Sequence, residues 1–368
     1  MQKGDGGGRG VGLICISRRV RRVRGERRTD GLKMSSKKRI DFLKELASHY
    51  PSNDAKCLAE ENGSLHSYYL QKWSDNVWGG TMSSEFQKMY NEGDGRELLC
   101  KACAIHSSSM LAYNFFHWIN NKSIFRFREI EFDRVVFEVK IPCLKKLRAA
   151  KKKAGEETEG GFVCANMDVM LVGKKDGRPH VFFLESKFTE HFSSASSAMR
   201  KINVAYYDKD KVRYIVTKYD MPAVVEKFKD KVVANDRQKV YYDGIKQSIC
   251  HLIAMTNLVD DKNIREAFAR RYKIDETSTF HFANLLYRPD ERFEKEADYY
   301  GKYCLLYEEF YKSIKGNYPE EQIKVYSNPL SYTDVWSVME CQINPELKKY
   351  LNDRYMREAS KRLTMEIF

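Results

Sequence analysis

Met167-Asp168-Val169-Met170-Leu171-Val172, then Asp176-Gly177, then Val181-Phe182-Phe183-Leu184-Glu185-Ser186-Lys187: two apolar runs around a two-residue turn decide how this chain is read. Asp-Gly between apolar runs predicts a type I′ hairpin with both turn residues at positive φ. With Asp176 and Gly177 as the turn, Lys175 faces Arg178, and the same register sets Asp168 against Glu185. Runs that are apolar on both faces read as buried central strands. Directly opposed residues have Cβ atoms roughly 4.5 to 5.5 Å apart, and like charges placed so are destabilising. Lys187 shares a face with Glu185, while Ser186, Leu184 and Phe182 point the other way. Two readings meet the need for a counter-charge. One is an internal ion pair of Lys187 with Glu185 or Asp168 at an exposed strand end. The other is Mg²⁺, which takes a few hard oxygen ligands and completes its shell with water and substrate phosphate.

Asp168 followed by Glu185-Ser186-Lys187 resembles the D…(D/E)XK signature of the PD-(D/E)XK nuclease superfamily. Gly95-Arg96-Glu97-Leu98, His106-Ser107-Ser108-Ser109, Asn114-Phe115-Phe116, the extended Glu185-Ser186-Lys187-Phe188-Thr189-Glu190, and Asp243 with Gln247 and His251 are similar to a bacterial restriction-endonuclease-like family within it. The resemblance covers roughly Gly95 to Met339, and Met167 stands where the superfamily's name has proline. It implies an α/β fold, a restriction-endonuclease-like core with a mixed central sheet flanked by helices. It also implies Mg²⁺-dependent phosphodiester hydrolysis, with Mn²⁺ as a substitute. In that scheme Asp168 and Glu185 hold the metal, and Lys187 orients or helps deprotonate the attacking water. Glu97 is the candidate for an additional ligand or water-holding acid, and Gln247 for a group sent back from the helix after the core strands. Each has a plainer reading. Glu97 and Lys101 fit a surface pair four residues apart, and Gln247 and His251 fit hydrogen-bonded helix residues at a core edge.

Two other function classes stay open on the sequence. One is a nucleic-acid-binding or regulatory protein that keeps the fold without cutting. The other is a metal-dependent hydrolase of a small phosphorylated molecule, which needs a closed pocket rather than a basic cleft. The expected partner is nucleic acid, DNA ahead of RNA. A homodimer suits enzymes that cut both strands, but no residue marks an interface.

The chain has 368 residues, 42% of them apolar, enough for a substantial core in one domain or two. Its net charge of +13 is unevenly placed: residues 1–34 contribute +7, leaving +6 for the other 334. That Gly- and Arg-rich tail lacks the apolar centre of a secretory signal and has nothing to bury. It reads as a basic arm or as an upstream stretch of a chain whose translation starts at Met34. No run of 18 apolar residues is present, so a membrane span is not expected. Nine scattered cysteines without a secretion signal suggest reduced thiols in the cytoplasm. Cys100 and Cys103 are the one close pair, short of the four ligands of a structural zinc.

The expected organisation is a tail (1–34), an N-terminal helical region (35–94), a nuclease-like domain (95–345) and a C-terminal helix (346–368). Helices are expected over Ile40–Tyr50, Glu97–Ile119 with a break allowed at the serine run, Tyr242–Leu258 and Tyr299–Ile314, and through Met339 from a cap at Thr333 or Asp334. Strands are expected over Phe125–Ile141, in the hairpin, over Phe280–Tyr287 and at Lys324–Tyr326. Residues 142–161 read as a basic connector. The Ser107-Ser108-Ser109 run lacks the G-x-S-x-G elbow and reads as a cap or packing surface.

Overall fold

The computed structural model describes residues 42–43, 45–50, 68–70, 72–93, 98, 101–147, 159–192, 212–229, 243–290 and 292–356. Glu97, Cys100 and the 1–34 tail lie outside the described residues.

The centre is an eight-stranded mixed sheet: β1 (Phe125–Phe127), β2 (Ile130–Leu147), β3 (Glu159–Lys175), β4 (Arg178–Lys187), β5 (Val212–Tyr214), β6 (Thr279–Leu286), β7 (Ile323–Val325) and β8 (Leu330–Ser331). The order is β1-β2-β3-β4-β6-β7, with β5 beside β2 and β8 beside β6. The first four strands form an antiparallel meander, whereas β6 runs parallel to β4, β7 and β8.

Helices cover both faces. On one side pack residues of the 42–50 segment, α1 (Ser84–Glu92), α2 (Ser108–Phe116), α7 (Tyr332–Met339) and α8 (Pro345–Leu351); on the other pack α3 (Met221–Lys229), α4 (Asp243–Asp260), α5 (Lys262–Tyr272) and α6 (Glu294–Ile314). Alternation along β4 explains the two layers. Phe182 and Leu184 enter the first apolar cluster and Val181 and Phe183 the second. The result is a restriction-endonuclease-like α/β core.

The hairpin register runs from Lys175 opposite Arg178 to Val169 opposite Leu184, around Asp176 (φ 50°) and Gly177 (φ 75°), as the Asp-Gly signal predicts. Ile245, Ile249, Leu252 and Ile253 of α4 are all buried, as their spacing predicts.

Three expectations need correction. The Glu97–Ile119 stretch is broken at the serine run, as the sequence allows, but among the described residues its α-helix covers Ser108–Phe116 after a short turn at Lys101–Cys103, because Ser107 accepts the Met110 N–H and starts the helix there. Ser331, not Thr333 or Asp334, caps α7, with Asp334 closing a reciprocal capping box. The third concerns the connector over 142–161. Pro142–Leu147 continue β2 and Glu159–Gly161 open β3, so the antiparallel pair reaches well past Asp168.

Candidate active site at a fork between strands

β3 and β4 part at Asp168. Their ladder ends at Val169 and Leu184; beyond it β3 stays paired with β2, and Glu185 to Lys187 pair with β6. The side chains record the change. Val169 and Leu171 lie in the first apolar cluster, but Met167 and Ala165 lie in the second, so the buried face switches at Asp168. β2 switches at the register-matched position: Phe137 is in the first cluster, Val139 in the second, and Glu138 between them has φ 53°. A non-glycine residue in that left-handed region is uncommon in a strand and stores strain.

Asp168 sits in the fork, partly reached by solvent, and its Oδ2 accepts the Ser186 N–H at 2.7 Å. Glu185 and Lys187 are buried, 1% and 6% exposed, and the Lys187 ammonium donates to Glu185 Oε1. Desolvation, and then the charge of Glu185, push the Asp168 carboxyl well above the usual carboxylate range, against the opposing pull of Lys187 and the Ser186 amide. The ion-pair reading and the acid-pair reading thus describe the same three side chains: one lysine faces two carboxylates.

Neighbouring elements fix this group. The Ser186 hydroxyl donates to the Ser108 carbonyl at 3.1 Å, so the Tyr332 hydroxyl, 2.7 Å away, donates to Ser186 Oγ. Ser186 is thereby tied to α2 and to the start of α7, and its amide is aimed at Asp168. From the other face, His251 Nε2–H donates to the Asn166 carbonyl at 2.9 Å and lies 3.5 Å from Glu185 Oε2. Burial, then the Lys187 charge, lower the His251 pKa to about 3, so the ring is neutral at pH 7.

Gln247, one turn earlier on α4, has its Oε1 buried with no hydrogen-bond partner among the described residues. It shares a helix with His251, but no contact ties it to Asp168 or Glu185. Glu190 lies beyond the strand. Its Oε2 caps the Phe188 and Thr189 N–H groups; burial opposes its ionisation, but Lys187 and the backbone donors outweigh that and lower its pKa.

Sequence reading missed Glu138 and Tyr332. The charges of Glu138 and Asp168, after burial itself, both raise the pKa of Tyr90, whose hydroxyl donates to the Ser109 carbonyl. A Cβ on Gly93 would come within 2.8 Å of Glu138 Oε2, so α1 ends close against this acid. An acid inside Val135-Val136-Phe137-Glu138-Val139 was the available signal. Among the described residues no group of three or more His, Cys, Asp or Glu is placed to hold a metal ion.

The family described as restriction endonuclease associating with ARP matches residues 37–272. The chain belongs to that family. No curated protein and no solved structure matches it. The restriction-endonuclease match begins earlier than the resemblance at Gly95 and ends before β6, so it contains Asp168, Glu185, Lys187, Gln247 and His251 but not Tyr332. Its early start agrees with the packing, since Phe42, Leu43 and Leu46 share the apolar cluster of the first sheet face. Among the described residues no helix is long and apolar enough to cross a membrane.

Proposed function

We propose that this member of the restriction-endonuclease family is a Mg²⁺-dependent nuclease that hydrolyses phosphodiester bonds in DNA. The observation that carries the reading is the fork: two neighbouring carboxylates and a lysine stand where two central strands separate, with Asp168 partly reached by solvent. The donor set fits Mg²⁺, being hard oxygens few enough to leave room for water and phosphate. The raised Asp168 pKa fits as well, since a cation between two repelling carboxylates favours their charged forms. When bound, Mg²⁺ supplies charge to the scissile phosphate and lowers the pKa of a coordinated water. Asp168 is held in one orientation by the Ser186 amide, and Glu185 is shielded from bulk water. Lys187 balances the two acids and supplies a cation for charge developing on the phosphate oxygens. Neutral His251 donates towards the strand beside Glu185 and adds no competing charge. The family's description also names a partner, ARP, and an association with it belongs to this proposal.

The test is cleavage of double- and single-stranded DNA and RNA with Mg²⁺, Mn²⁺ or EDTA, beside Asp168→Ala and Lys187→Ala. The expected result is metal-dependent cutting of DNA, reduced at least ~100-fold in either variant. Titration calorimetry with Mn²⁺ supplies a second readout, in which Asp168→Asn removes the binding heat. Cutting that survives EDTA or both substitutions overturns the reading.

A further inference from the structure

At the fork the two strands of the hairpin go separate ways: past Asp168, β3 runs on with β2 as an arm, while Ser186 of β4 pairs with Leu285 of β6. The β3–β4 ladder has ended by then, so the Ser186 N–H goes to a side chain, Asp168 Oδ2, at 2.7 Å. A carboxylate tied to one amide points in one direction only if the amide itself is fixed. β6 fixes Ser186 from the edge of the strand. Its hydroxyl, wholly buried, fixes it from the face.

The proton order around Ser186 Oγ has one solution. The Ser108 carbonyl can only accept, so the serine proton points to it, and Tyr332 must donate across the 2.7 Å contact on the other side. A buried phenol stays protonated at neutral pH, so that donor is always present. Nor can the ring carry the hydroxyl elsewhere. Tyr332 is the first residue of α7, directly after the N-cap Ser331, whose capping box with Asp334 fixes the helix start. The strand leading into it, β8, pairs with β6 at Leu285 and Leu286, the residues opposite Ser186 and Lys187. Phe115 of α2 meets the Tyr332 ring edge-on, 4.7 Å between centroids. One helix, its partner across the site and a central strand therefore converge on a single hydroxyl group.

We infer that Tyr332 is a positioning residue: its hydroxyl, acting through Ser186, sets the direction in which the Asp168 carboxylate faces the fork. For what Asp168 then does, holding a divalent cation, this rests on the nuclease reading; the chain of hydrogen bonds stands without it. Tyr332 lies beyond the end of the family match at residue 272, so the site is completed by a part of the chain that the match does not contain. Removing a group that directly orients a metal ligand typically costs ~10–100-fold in metal affinity. Tyr332 stands one hydrogen bond further out, where the loss of one neutral hydrogen bond is worth about fivefold.

The experiment uses the full chain with Tyr332→Phe, Ser186→Ala and the two together, and reads them with and without metal. Without metal, a chain labelled with ¹⁵N-serine reports the Ser186 amide, identified by its loss in Ser186→Ala; Tyr332→Phe is expected to speed its exchange with solvent about fivefold. With metal, calorimetric titration of Mn²⁺ is expected to show affinity about fivefold lower in Tyr332→Phe, and kcat on DNA lower by a similar factor with KM unchanged. Ser186→Ala weakens Mn²⁺ binding likewise, and adding Tyr332→Phe to it changes nothing further, because the effect passes through the serine oxygen. Tyr307→Phe, the same deletion in the apolar cluster on the other sheet face, leaves every readout at the parent value. Unchanged exchange at Ser186 in Tyr332→Phe overturns the inference, as do additive losses in the double variant, or parent-like Mn²⁺ affinity in Tyr332→Phe where the parent binds Mn²⁺. The two readings fail separately. Faster exchange in a chain that neither binds Mn²⁺ nor cuts DNA removes the nuclease and keeps the positioning role, and Asp168-dependent cutting that ignores Tyr332→Phe does the reverse.

Discussion

The two halves of β3 are built from opposite rules. From Val169 to Leu171 the strand is paired on both sides and packed on both faces. From Phe162 to Met167 its partner among the described residues is β2, and Ala165 and Met167 join the second apolar cluster. Asp168 marks the boundary. A polar group in the first half would have no water, while one in the second half meets solvent on one side. The carboxylate therefore occupies the innermost position at which charge can still reach solvent, backed by a rigid core.

The largest expected effect separates the halves directly. Phe182→Ala, opposite Leu171 in the doubly packed half, should lose about 3–5 kcal/mol of stability in urea unfolding. Lys140→Ala on the arm should stay within about 0.5 kcal/mol. Equal losses would break the comparison.

At the boundary, Lys187→Met should cost about 3–5 kcal/mol at pH 7, because Glu185 is left buried and charged, and Glu185→Gln in the same chain should restore part of it. A thermal melt of the two variants reads this. A loss that the second substitution does not relieve would show that Lys187 acts through packing alone.

The core is also expected to weaken in acid. His191 and His251 are buried, which lowers their pKa values to about 4 and about 3, below the unfolded value near 6.5. Between those limits the unfolded chain binds more protons than the folded one, so stability is full above pH 6.5 and falls as pH drops towards 4. Asp168 has the opposite sign: its raised pKa makes its charged form a cost that grows as pH rises. Melting midpoints from pH 4 to 8 should therefore rise through the histidine window, and Asp168→Asn should raise the metal-free midpoint at pH 8. A midpoint independent of pH from 4 to 6.5 would contradict the burial of both rings.

The smallest effect tests the turn that sets the register. Gly177→Ala at φ 75° should cost about 1 kcal/mol, with open space around the new methyl group.

The same boundary divides what the sequence made legible. Val169–Leu184 could be read because the Asp-Gly turn fixes both conformation and register, and an apolar run needs no alternation to be recognised as buried. Asp168, Glu185 and Lys187 were picked out from that register, although the ladder itself ends one pair short, at Val169 and Leu184. The arm was read as a connector for a physical reason. Lys145 and Lys146 dominate its local composition, and the bulge between Pro142 and Leu144 shifts the alternation, so its period is visible only with the partner strand in place. Tyr332 is 146 residues from Ser186, and no local pattern announces a contact made by a helix cap. Glu97 was singled out by resemblance and lies outside the described residues.

The parallel pairing of β4 with β6 has a consequence in time. Asp168 and Glu185 are brought together by a turn of two residues, but Glu185 pairs with Asn284, and Lys187 with Leu286, across a crossover carrying α4 and α5. Local contacts form before distant ones. During synthesis the hairpin leaves the ribosome with its two acids and lysine assembled and one edge bare, and that edge stays unprotected until β6 has been made. The strand that carries Glu185 and Lys187 is thus born as an edge strand and becomes a central one, so a chain stalled before Thr279 would present a bare, adhesive border.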